Sequence, residues 1–371
     1  MAEWQLNFNA RIDVRSPEIT SLIVELEAFR RSILRIPLPP EMRKRFDRIN
    51  IVRQIRGTTG IEGNTLTEDR IEQVLENAGK SQDGPARSLE ETEVLNAAKA
   101  CEYTRQYVKS NESNTISEDL VRTFHRLLTH GCDYPNNVPG EYRRHGSTVG
   151  DYRAPDHQEI EDLMRRFLDF IDSPAVVEGY GPLIRAVLAH FYLVSVHPFA
   201  DGNGRTSRAV EAFILCQGGY NTIGFYSLAN YYHRNRSKYI DMLQRARFIH
   251  DTDLTEFVGF SLRGFVEELK QIQEEILDYV KRALFRSCVS EAVEVGRINS
   301  RQMAILEQLA FYERDGIPAE AFRNRNHHLV KAVYEDKTNK TLMRDLQTLK
   351  DLRFIAIRES RIVANLDLLH E

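Results

Sequence analysis

Apolar residues along this 371-residue chain recur mostly at spacings of three and four, and alternation at two is scarce, so the pattern predicts a mostly α protein. After the prolines of IPLPPE, a basic amphipathic helix is expected from Met42 to Ile61, with Gly63-Asn64 as its stop. A second helix should start near Thr65, where Thr65 and Glu68 have the spacing of a capping box. KSQDGPARS, residues 80 to 88, reads as a loop, and helices resume over Leu89 to Tyr107 and Ser117 to Thr129. Between Pro139 and Pro155 the helical period breaks, and PGEYRRHGSTVGDYRAP reads as a short hairpin or flap. Ile160 to Ile171 is helical again. Pro182 then opens LIRAVLAHFYLVSV, apolar almost all round, as a central buried helix would be. From about Arg297 the character changes: RQMAILEQLA and TNKTLMRDLQTLKDL read as helices and FIAIRESRIVANLDL as two short strands around a polar turn. That order suggests a winged-helix module, or an ordinary α+β appendage, joined through a long helix near residues 261 to 285.

Composition narrows the picture by exclusion. A hydrophobic share of 42% with 28% charged residues fits a globular chain of two or three domains. The net charge of -4 supplies no general cationic field for nucleic acid, so DNA binding would need a local patch. Four scattered cysteines, Cys101, Cys132, Cys216 and Cys288, form no C-x-x-C pair, which favours a reducing, cytoplasmic setting over a disulfide or zinc scaffold. The first residues lack the apolar core of a signal peptide, and no run approaches the roughly 18 apolar residues of a membrane span.

Candidate chemistry concentrates in HPFADGNGRTSR, residues 197 to 208. Two glycines in Asp201-Gly202-Asn203-Gly204 favour a tight turn with positive φ, and RTSRAVEAFILC from Arg205 onward is helical. The turn therefore precedes a helix N-terminus, where free backbone N–H groups suit a phosphate. Arg205 and Arg208 oppose the dipole there by about 0.3 to 1 kcal/mol each, so an anion such as a di- or triphosphate is implied. Asp201 would be repelled by phosphate unless a divalent cation such as Mg²⁺ bridged them. His197 is the group suited to take a proton near neutral pH. A Walker A loop is excluded by the missing lysine, and a calcium loop by Ala212 at the twelfth position. The plain alternative is a solvated turn between two core helices with His197 structural.

HPFADGNGRTSR resembles, position for position, the signature H-x-F-x-[DE]-G-N-G-R-x-x-R of Fic-domain proteins. The resemblance, over roughly residues 115 to 265, implies a Fic-type helical core (111–266) with a β-hairpin flap. An N-terminal helical region (1–110), a connecting helix (267–290) and the small α+β domain (291–371) complete the expected layout. It implies a protein adenylyltransferase that moves AMP from ATP to a Ser, Thr or Tyr hydroxyl of a target protein or of itself, releasing pyrophosphate. His197 would be the base, Asp201 would hold Mg²⁺, and Phe199 would anchor the motif. Gly202, Asn203 and Gly204 would cradle phosphates, Arg205 would steady the β-phosphate, and Arg208 would grip the γ-phosphate. Val149, Gly150, Asp151 and Tyr152 look like the flap that pairs with the target as an added strand and touches the nucleotide. Tyr239 falls where related sequences carry an aromatic near adenine, although a tyrosine on an amphipathic helix is as often core. TTGIEGN, residues 58 to 64, resembles the inhibitory motif [ST]-x-x-x-E-[GN], with Thr58, Glu62 and Gly63 in its places. Glu62 at a helix C-terminus opposes the dipole, and a buried arginine, here Arg208, would repair that. Reversal of the reaction through Glu62, another diphosphate-containing donor, a nucleotide-sensing DNA-binding regulator and a homodimer stay open at this point.

Overall fold

Prolines and hydroxyl caps set where the helices begin. In this computed structural model, residues 6–78, 87–110, 115–220, 228–248 and 253–367 are described. Helix α1 (Pro17–Arg35) starts with a proline whose missing N–H needs no partner, behind Ser16, whose hydroxyl accepts from the Ile19 N–H. Helix α2 (Pro40–Gly60) uses the same proline start. Helix α3 (Glu68–Asn77) begins later than the capping box predicted, with Thr67 as its cap. Thr65 is drawn away because its N–H and hydroxyl both donate to Glu90 Oε1. The loop expected over 80–88 lies outside the described residues except for 87 and 88. Helices α4 (Leu89–Ser110) and α5 (Glu118–Thr129, capped by Ser117) follow.

The predicted flap is a two-residue ladder, β1 (Thr148–Val149) antiparallel to β2 (Tyr152–Arg153), turning at Gly150 with φ +57°. Helices α6 (Ile160–Ile171), α7 (Pro174–Val177) and α8 (Gly181–Val196) come next, then α9 (Asn203–Gln217), α10 (Leu228–Arg234) and α11 (Arg236–Phe248). Helix α8 buries residues on every side, as its apolar run implied, and packs against α9 and α6. Helix α2 departs from a single apolar stripe. Its C-terminal half buries Gly57, Thr58 and Thr59 between α4, α9 and α10. A Cβ on Gly57 would lie 2.5 Å from the Ala229 carbonyl carbon, so this glycine is what lets α2 and α10 touch.

Contacts divide the chain into two compact units, Met1–Ile272 and Gln273–Glu371, and helix α12 (Thr255–Glu294) spans the division. Helices α1 to α11 all lie in the first unit. The second unit holds α13 (Ser300–Glu307), a π turn over Gln308–Tyr312, β3 (Ile317–Pro318), α14 (Ala319–Arg323), α15 (His328–Tyr334), α16 (Asn339–Asp351), β4 (Ile355–Arg358) and β5 (Arg361–Ala364). Its sheet order is β3-β5-β4, all antiparallel, and Ile305, Leu309, Ile317, Leu342, Leu349 and Ile362 are among its core residues. The hairpin between β4 and β5 turns through Glu359 and Ser360, both left-handed. Strand β3 went unread because two residues give no alternation to detect.

Candidate active site

Helix α8 ends where His197 takes a left-handed backbone (φ 51°), its N–H bonded to Leu193 O. A left-handed non-glycine residue is strained, and here the strain turns the chain sharply at the end of a buried helix. Arg143 holds that bend: its backbone N–H donates to Pro198 O and its Nε to His197 O at 2.8 Å. The remaining guanidinium nitrogens donate to His145 O and Pro155 O, both 2.6 Å, clamping the base of the flap to the same bend. His197 Nδ1 lies 3.3 Å from Val194 O. A carbonyl only accepts, so Nδ1 carries the proton and Nε2 keeps its lone pair. Burial pushes the imidazole down to about 4, with Arg143 and Arg247 adding to the shift, so the ring is neutral at physiological pH.

The following loop is built from side chains bonded to backbone. Asn203 is buried, and its amide both accepts from the Phe199 N–H and donates to Phe199 O, so it shapes the loop. Phe199 is fully buried and stacked on His125 at 3.7 Å between centroids, the anchor the motif implied. His125 accepts from the Gly140 N–H at Nδ1, leaving Nε2 to donate to Asp201 O. Burial pushes His125 to about 4 as well. Gly202 has φ +76°, and a Cβ there would meet Thr129 Cγ2 at 2.7 Å. The helix starts two residues before the expected Arg205, so only Gly202 needs the left-handed region. Gly204 lies in the first turn of α9, where a Cβ would be 2.3 Å from Glu62 Oε1. No side chain caps α9, which leaves its first N–H groups as an anion site.

Both arginines are buried. Arg205 donates from NH1 to Glu93 Oε1 (2.9 Å) and from NH2 to Asp201 Oδ1 (2.7 Å), and its guanidinium lies over the Tyr134 ring. Arg208 donates from Nε to Thr58 Oγ1 (3.0 Å) and from NH2 to Thr58 O (2.9 Å) and Glu62 Oε1 (2.7 Å). Glu62 lies just past the end of α2, in a turn held by Arg236, which donates to Ile61 O. Desolvation would raise its pKa, but Arg208, Arg205 and His197 outweigh that and hold the carboxylate below its ordinary range. Gly63 follows with φ +105°.

Flap residues Val149 and Asp151 are exposed beside Gly150, and Tyr152 points inward. Its hydroxyl donates to Ser195 O and its ring carries the Arg247 guanidinium at 4.0 Å. Tyr239 is buried, stacked on Tyr232 and 2.9 Å from His190 Nε2, with the charges of Arg208 and Glu62 acting on its hydroxyl. Sequence reasoning missed His125, Arg143, Arg247, Tyr134 and Glu93. The signal for Glu93 was its place on the buried Ala97, Ala100, Thr104 stripe of α4, a carboxylate at core spacing. Among the described residues, Glu313, His327 and His328 of the second unit group three potential metal-ligand atoms. Leu329 N–H donates to His327 Nδ1, so His327 Nε2 carries the proton and donates to Glu313 Oε1, a hydrogen bond in place of a metal contact.

Residues 115–215 match the Fic/DOC family model. Protein adenylyltransferase Fic of Aedes aegypti is 30% identical over 221 residues, 58% of this chain and 40% of the relative. The Drosophila willistoni protein of the same name is 33% identical over 207 residues, 55% and 38%. The chain thus spans about two fifths of the length of the curated relatives it matches. A Fic family protein from Desulfovibrio desulfuricans G20 superposes with TM-score 0.55 at 20% identity, covering 94% of this chain and 96% of that one. Fic-1 from C. elegans gives 0.58 at 23%, covering 71% and 74%. These two likenesses speak to the fold.

Proposed function

We propose, from the match of residues 115–215 to the Fic/DOC family model, that this chain is a protein adenylyltransferase, transferring AMP from ATP to a protein hydroxyl. The observation that carries this is a neutral His197 with Nε2 free, beside the uncapped N-terminus of α9 and two buried arginines. Nε2 takes the proton of the attacking hydroxyl, whose oxygen bonds to the α-phosphorus as the bond to the α,β-bridging oxygen breaks and pyrophosphate leaves. Free N–H groups of α9 and Arg205 stabilise the charge on the departing phosphates.

Asp201 has 42% of its side chain exposed, and its Oδ1 accepts from Arg205 NH2 and from the Gly202 N–H just ahead of α9, so this carboxylate together with phosphate oxygens would suit Mg²⁺. Bound there, the ion would neutralise phosphate charge. The exposed β1 strand, Thr148 and Val149, suits a target segment added by backbone hydrogen bonds. Glu62 acts as a brake in this reading, because Arg208 bonded to Glu62 and Thr58 is withheld from the γ-phosphate. An added strand and a released Arg208 would together make the productive state.

Intact mass after incubation with ATP and Mg²⁺ tests the reading. An AMP-sized gain is expected in the Glu62→Gly chain, at least about tenfold faster than in the parent, and in none that carries His197→Ala, since a lost base costs about 10²-fold or more. A Glu62→Gly chain that gains no mass with ATP but does with another diphosphate donor would reassign the substrate.

A further inference from the structure

One buried carboxylate joins the turn that carries Glu62 to the other arginine. Glu93 Oε2 accepts from Asn64 Nδ2 at 2.8 Å, two residues past Glu62, while Glu93 Oε1 accepts from Arg205 NH1 at 2.9 Å and from the Tyr134 hydroxyl. Asn64 also donates to Glu90 O, and Thr65 grips the Glu90 carboxylate, so the segment after α2 is fastened to α4 at several points. Arg205 therefore rests between two carboxylates of different kinds. Glu93 is 10% exposed at its side chain and has its oxygens satisfied by three residues, whereas Asp201 is 42% exposed. A buried, multiply bonded ion pair is costly to break, and an exposed one exchanges readily.

We propose that Glu93 is a positioning residue for nucleotide binding. It fixes NH1 of Arg205 permanently against α4, so that only the NH2 end exchanges, from Asp201 to the β-phosphate of the bound nucleotide. The proposal rests on the nucleotide-binding reading of the α9 N-terminus. The Tyr134 ring under the guanidinium completes the seat, because it restricts Arg205 to swinging about the Glu93 bond. Through Asn64, the same carboxylate sets the height of the turn that presents Glu62 to Arg208. The two phosphate-reading arginines are thus referenced to one point on α4.

ADP and AMP separate this role from a merely structural one, since they differ by the β-phosphate alone. Calorimetric titration of the full chain with each nucleotide in the presence of Mg²⁺ should show Glu93→Gln weakening ADP about tenfold, the scale of a charge-assisted hydrogen bond, with AMP unchanged. Tyr134→Phe, which removes one hydroxyl and leaves every charge, should weaken ADP about threefold in the same selective way and carries the test if Glu93→Gln does not fold. ADP binding equal to the parent in the folded variants, or an equal loss for AMP and ADP, overturns the positioning role. A parent chain that binds neither nucleotide instead sinks the nucleotide reading on which it rests.

Discussion

His197 and Glu62 are both shifted downward, which leaves the imidazole neutral and the carboxylate charged, and both shifts make the site indifferent to moderate acid. The imidazole, pushed to about 4, is unprotonated across the physiological range, so the Glu62→Gly chain should transfer AMP at a nearly constant rate between about pH 5.5 and 8. A rate that fell by half near pH 6.5 would mean an ordinary histidine. Glu62, held below its usual pKa, stays ionised over the same interval, so acidification to about pH 5 should leave the parent chain inhibited. Its pairing adds stability above the ordinary carboxylate pKa, and that stability is lost as pH falls through the lower folded value. His125 contributes a stability effect over the same window as His197. Its folded pKa of about 4 is below the ordinary histidine value of 6.5, so the unfolded chain takes up the proton first. Melting temperature should decline from about pH 6.5 down to about pH 4, and His125→Gln should make that slope shallower, with His197 supplying the remainder.

Glycines decide how closely the helices around the site approach. At Gly57 a methyl group would run into the backbone of α10, so α2 would have to shift away from α10. Gly57→Ala should cost about 1–3 kcal/mol of stability by overpacking, seen as a lower melting temperature. It should also raise auto-modification, because α2 carries Thr58 and the turn of Glu62. Unchanged activity in the destabilised protein would show that the brake does not depend on how α2 is seated. Gly202→Ala meets both the left-handed backbone and Thr129, and should destabilise without releasing the brake. At this scale the cap at Ser117 marked its helix, the prolines before Met42 placed the next boundary to within two residues, and the cap and proline at Ser16 and Pro17 went unread. The chain misled where a distant acid competed for the cap, as Glu90 does for Thr65.

Within the first unit, the proposed function has ligand binding and the brake share one cation, Arg208, and thermal stability should report that competition. Mg²⁺ and ATP should raise the melting temperature of the Glu62→Gly chain more than that of the parent, since a ligand stabilises in proportion to its affinity for the folded state. Equal shifts would mean that Arg208 reads no phosphate. The order of residues from 197 to 208 was enough, by itself, to specify a helix N-terminus with free N–H groups behind a tight glycine turn, with a base, an acid and two cations a few bonds away. Helical periodicity fixed the mostly α architecture and the hairpin that interrupts it, because these depend on neighbours three or four positions apart. Only tertiary structure could bring Glu62 across 146 positions to Arg208 and Glu93 across 112 to Arg205, or turn Tyr152 and Tyr239 into the core. Such pairings depend on which helices pack together and on whether burial leaves a charge in want of a partner, and no local spacing encodes either.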